Sequence, residues 1–133
     1  MSNEDKSWST NTYVKLTELD KSERINYIYS LINRYNNILN FYMINKDIRT
    51  IETMIHTYNN ELLLIVDDEI KKEIQKYQIH MPLPVDVIEY VMDHYMKNSD
   101  SIRNIIKNIY AEFLKNICPI IGCDMSMYFP KKK

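Results

Sequence analysis

Glycine is almost missing from this sequence: Gly122 is the only one in 133 residues. Glycine supplies the positive-φ positions on which tight hairpins and phosphate-cradling loops depend. A β-sandwich, a Rossmann fold or a P-loop is therefore poorly served, whereas helices joined by polar turns are not. Proline occurs four times and cysteine twice, as Cys118 and Cys123. Two thiols are too few for a secreted disulfide scaffold. The longest apolar run, Leu62 to Val66, falls far short of the roughly 18 residues a membrane span needs. Charge of one sign is missing too. Seventeen Lys and Arg face eighteen Asp and Glu, a net charge of -1, so no strong field points to nucleic acid or an anionic membrane. Met1 to Thr12 is polar and lacks the apolar core of a signal peptide. The expected location is the cytosol or nucleus.

What is present suits a folded domain. Hydrophobic residues make up 45% and charged ones 26%, the proportions of a chain able to offset its ordering entropy by burial. The length corresponds to one domain with a modest core. Eleven tyrosines, with many Asn, Ile and Lys, match the codon bias of AT-rich genomes and say little about function.

The apolar spacing predicts an all-α bundle of four main helices. Residues 1–19 read as a flexible leader, 20–118 as the helical domain and 119–133 as a tail. Asp20 and Glu23 have the spacing of a capping box. From there Ile25, Ile28, Ile32, Tyr35, Leu39 and Tyr42 form one stripe of a first helix over Lys21 to Met43. Tyr29, Leu31, Ile38 and Phe41 lie off that stripe, so the apolar surface is wider than one neighbouring helix covers. Asp47 is placed to cap a second helix with a ladder of Ile48, Ile51, Ile55, Tyr58, Leu62 and Ile65. The phase then slips by four to Val66, Ile70, Ile74 and Tyr77, a stutter that a continuous helix tolerates. Asp67-Asp68 could break it; one long, bent helix is the favoured expectation, forming an antiparallel hairpin with the first. Pro82 and Pro84 hold the next stretch extended. Pro84 then opens a short third helix with Val87, Ile88, Val91, Met92 and Tyr95 inward. The fourth helix presents Ile102, Ile105, Ile106, Ile109, Phe113, Leu114 and Ile117, and Pro119 is expected to stop it.

Reactive chemistry finds little support. Cys118 and Cys123 lack a further Cys or His pair, and His56, His80 and His94 fall in different elements, so no metal site is expected. Glu52 and His56 are four apart and unrepeated, unlike the paired ligands of di-iron bundles. Cys118 lies at a helix C-terminus, where the negative partial charge opposes a thiolate nucleophile. Asp67, Asp68, Glu69 and Glu73 read as a hydrated face. Lys71, Lys72 and Lys76 alternate with acids as exposed helix pairs do, and the terminal lysine triplet is not a specific nucleic-acid patch. The expectation is a non-enzyme with no cofactor, no metal, no small-molecule substrate and no direct nucleic-acid contact. Excess apolar helix surface points instead to protein partners, with self-contained packing as the alternative.

The stretch Leu83-Pro84-Val85-Asp86-Val87-Ile88-Glu89-Tyr90-Val91 resembles a signature of subunit 10 of the Mediator complex. That family carries a proline followed by a short helix of the form Pro-apolar-acid-Val-apolar-x-Tyr-apolar. Pro84, Asp86, Val87, Ile88, Tyr90 and Val91 fill those places, and two long helices precede the motif as they do in the family. The family's Gly-Arg-Asn-Pro turn is replaced here by Asp93 to Asn98. The resemblance implies a non-catalytic nuclear scaffold subunit that docks on other Mediator subunits and regulates RNA polymerase II transcription. Tyr35 to Tyr77 also resembles, more loosely, the poxviral Bcl-type helical proteins that bind host signalling or apoptosis proteins. That alternative implies the cytoplasm of an infected host cell. The anchors expected to meet a partner are Tyr90 and Val87, then Tyr35 and Tyr58, with Pro84, Ile88 and Val91 beside them.

Overall fold

The computed structural model describes residues 14–77 and 82–123. Among them are five α-helices and no strand: α1 (Lys21–Asn45), α2 (Ile48–Ile65), α3 (Asp68–Gln75), α4 (Val85–Tyr95) and α5 (Asp100–Ile121). The predicted all-α bundle is what the chain forms.

The start of α1 follows from its capping box. The Glu23 amide donates to the Asp20 carboxylate at 2.9 Å, and the Asp20 amide donates to the Glu23 side chain at 3.2 Å. Lys46 closes the helix in the left-handed region, at φ 53°, with its amide on the Tyr42 carbonyl at 2.8 Å. Asp47 then caps α2, accepting from the Thr50 amide at 3.3 Å and its hydroxyl at 2.8 Å. These bonds, the hydroxyl's foremost, hold the Asp47 carboxyl below the usual range. The two-residue turn folds α2 back antiparallel on α1. Arg34 pairs with Glu61 at 2.8 Å, and Tyr35 reaches Asn59 at 2.7 Å.

The expected continuous second helix is corrected: it breaks after Ile65. Val66 and Asp67 are extended, at ψ 161° and 160°. The break gives Asp68 and Glu69 places in the first turn of α3, where the positive end of the helix favours acids. The break is tied on both sides. Lys15 donates to the Val66 carbonyl at 3.1 Å, and the Asp67 amide donates to the Tyr95 hydroxyl at 2.8 Å. A second correction concerns residues 1–19. Leu16 is fully buried in a 3₁₀ turn, Leu16–Glu18, so the last part of the supposed leader belongs to the core. Arg24 holds it there, donating to the Leu16 and Leu19 carbonyls at 3.2 and 3.0 Å. Residues 1–13 lie outside the described part.

At the other end, Pro119 does not stop α5. The helix runs through it to Ile121, since so near the end proline forgoes only the bond to the Lys115 carbonyl. The stop is Gly122, at φ 83°. Its amide and that of Cys123 both donate to the Cys118 carbonyl, at 2.8 and 3.0 Å, a Schellman-type closure. The tail boundary at 119 therefore moves outward, and residues 124–133 lie outside the described part.

The wide apolar surface of α1 is covered by two neighbours, α2 on one side and α5 on the other, while α4 packs on α5. Tyr35 is the meeting point. Its ring lies 5.3 Å from Tyr58, 5.2 Å from Tyr110 and 5.2 Å from Phe113, all edge-on. The polar atoms carried inside are answered: Tyr35 donates to Asn59 and Tyr110 to the Leu83 carbonyl, at 2.7 and 2.6 Å. Among the described residues no buried side-chain polar atom lacks a partner. That pattern gives a core its unique packing.

Candidate docking surfaces

Most of the anchors expected to meet a partner are used inside the fold. Tyr35 is fully buried, and Val87, Ile88 and Val91 are at most 2% exposed. Pro84 is buried as the N-cap of α4, and Tyr58 is half-buried against Tyr35. As docking residues Tyr35, Pro84, Val87, Ile88 and Val91 are corrected to core. The reason is geometric: the helix stripe that α4 presents is the face it needs against α5. Tyr90, also on α4, is the exception, 38% exposed.

Two surfaces among the described residues stand out as places to dock. The first is the tip of the α1–α2 hairpin, where Ile44 is 80% exposed, Met43 67% and Ile48 42%. Ile48 belongs to the predicted inward ladder of α2, but it lies in the first turn of that helix, within an exposed run from Met43 to Arg49. Ile105, also expected inside, is exposed on α5. The signal for the tip was available: apolar residues on both sides of a two-residue turn have nothing beyond the turn to pack on. The second surface is a cleft of about 170 Å³ between α3 and α4, lined by Glu73, Ile74, Tyr77, Asp86, Val87 and Tyr90. A larger cleft between α4 and α5 is crossed by the ion pairs Arg103–Asp93 and Lys107–Glu89, which join the two helices.

Reactive groups are not gathered. No three His, Cys, Asp or Glu among the described residues lie together as metal ligands would. Burial, followed by a hydrogen bond with Cys123, pushes the Cys118 thiol up to about 12, which keeps it protonated at neutral pH. His56 and His94 stand exposed on α2 and α4, and His80 lies outside the described residues. Among the described residues no helix is long and apolar enough to cross a membrane. No family model, curated protein or solved structure matches this chain.

Proposed function

We propose that this chain is a non-catalytic protein-interaction module that docks through the tip of its first helical hairpin. One observation carries the reading. Among the described residues the fold leaves no buried side-chain polar atom without a partner, yet leaves Met43, Ile44 and Ile48 open around one turn. Three large apolar side chains at one projecting corner are more than stability needs and what an interface anchor requires. For the assembly, the resemblance at Pro84 to Val91 supports a scaffold subunit of the Mediator complex in the nucleus. That stretch does open a proline-led helix, with Pro84 at its N-cap.

Affinity purification of the full chain from its native cells tests both levels, run beside the double variant Met43→Lys, Ile44→Glu. Proteins recovered by the natural chain and lost by the variant support the docking tip. Mediator subunits among them support the assembly. Adaptor or death-pathway proteins in their place overturn it in favour of the Bcl-type reading. Identical recovery by both chains, or no specific protein from either, overturns the tip.

A further inference from the structure

The cleft between α3 and α4 has a composition that the docking tip does not. Each of its two walls carries an acid four residues ahead of a tyrosine: Glu73 on α3 before Tyr77 in the turn that follows it, and Asp86 before Tyr90 on α4. Asp86 and Tyr90, four apart on α4, share a helix face, and with Glu73 and Tyr77 they line the same space, over an apolar floor of Ile74 and Val87. At about 170 Å³ the space is well below that of pockets for drug-sized ligands. It is close to the cavity size that admits a single ring.

Resting on the interaction-module reading, we infer that this cleft receives one arginine side chain of a partner protein. A guanidinium is flat, keeps its charge, stacks on tyrosine faces and pairs with carboxylates through a fork of N–H donors. The two tyrosines and two carboxylates offer the complement of each property. Asp86 is exposed and has no ion pair or hydrogen bond among the described residues. Among the described residues Glu73 meets only the exposed Lys76, at 2.9 Å, the kind of surface pair an incoming cation displaces at little cost. Tyr90, open on a helix whose other large apolar side chains are sealed, gains cover by this binding.

The test is a ¹H–¹⁵N titration of the full chain with N-acetyl-arginine methylamide, beside the lysine and citrulline analogues. Arginine is expected to saturate on the order of millimolar, as a ligand of that size can, with shifts confined to α3 and α4. Asp86→Asn should weaken it about five- to tenfold, and Tyr90→Leu about two- to fivefold. Lysine or citrulline binding as well as arginine overturns the inference, as do shifts spread over the acidic surface or indifference to both variants. Both positions are exposed, so each variant's unperturbed spectrum away from the cleft confirms that it folds. The native-cell purification repeated with Asp86→Asn, Tyr90→Leu separates the two proposals. Partners kept by this variant but lost by the tip variant overturn the arginine site and leave the module reading standing.

Discussion

The two halves of the first hairpin differ as much as two parts of one structure can. Midway along it, Tyr35 is fully buried, ringed by Tyr58, Tyr110 and Phe113, and hydrogen-bonded to Asn59. Two to three turns further on, Met43 and Ile44 are mostly in water. The residue types are similar; the number of covering helices is not. At Tyr35 α1 is flanked by α2 and α5, whereas the tip has only its own turn. Apolar periodicity thus reports which side chains share a face, and the lengths of the neighbouring helices decide which are covered.

Substitutions sharpen that contrast. Phe113→Ala at the centre should cost about 3–5 kcal/mol, whereas Ile44→Ala at the tip should stay within about 0.5 kcal/mol. Urea denaturation of the two variants measures both, and equal costs would erase the distinction. Asn59→Leu should cost about 1–3 kcal/mol, because it strands the Tyr35 hydroxyl in the core. Adding Tyr35→Phe to it should recover most of the loss, the sign of a satisfied buried pair rather than of shape alone. High pH probes the same centre. Burial raises the Tyr35 phenol above its ordinary value of 10, and burial likewise lifts Tyr95 to about 12. Both folded values exceed the unfolded one, so this stabilisation is complete below pH 10 and declines as pH climbs toward 12. Denaturation midpoints at pH 8 and 11 should therefore differ, and less so in Tyr95→Phe. The smallest effect is expected at the turn. Lys46 sits at φ 53° with its ammonium 5.1 Å from the Tyr42 ring. The left-handed cost of about 1–2 kcal/mol outweighs an exposed cation–π contact of about 0.5–1 kcal/mol. Lys46→Gly should stabilise by less than about 1 kcal/mol, read as a small rise in Tm.

Local signals were legible where the chemistry is local. The Asp20–Glu23 box and the Asp47 cap could be read from the residues, because each bond spans three positions. The break after Ile65 could not, since a stutter reads alike in a bent helix and a broken one, and what secures the break comes from Lys15 and Tyr95. Pro119 misled because its effect depends on distance to the helix end, which Gly122 sets. For the docking surfaces, Tyr90 was anticipated and Met43 and Ile44 were not. A stripe does not say where its partner helix stops. Asn59, a polar residue buried in the core, is not legible either, since its partner lies 24 residues away on α1.

The joint between α2 and α3 has a consequence for how the chain is made. Its Asp67 amide is bonded by a hydroxyl 28 residues downstream, while its Val66 carbonyl is bonded by an ammonium 51 residues upstream. During synthesis the upstream tie can form first, but the joint stays half-fastened until Tyr95 has left the ribosome. Until then the nascent hairpin has an unfinished corner, and a stall before Tyr95 would release a product with one end of that corner still wet.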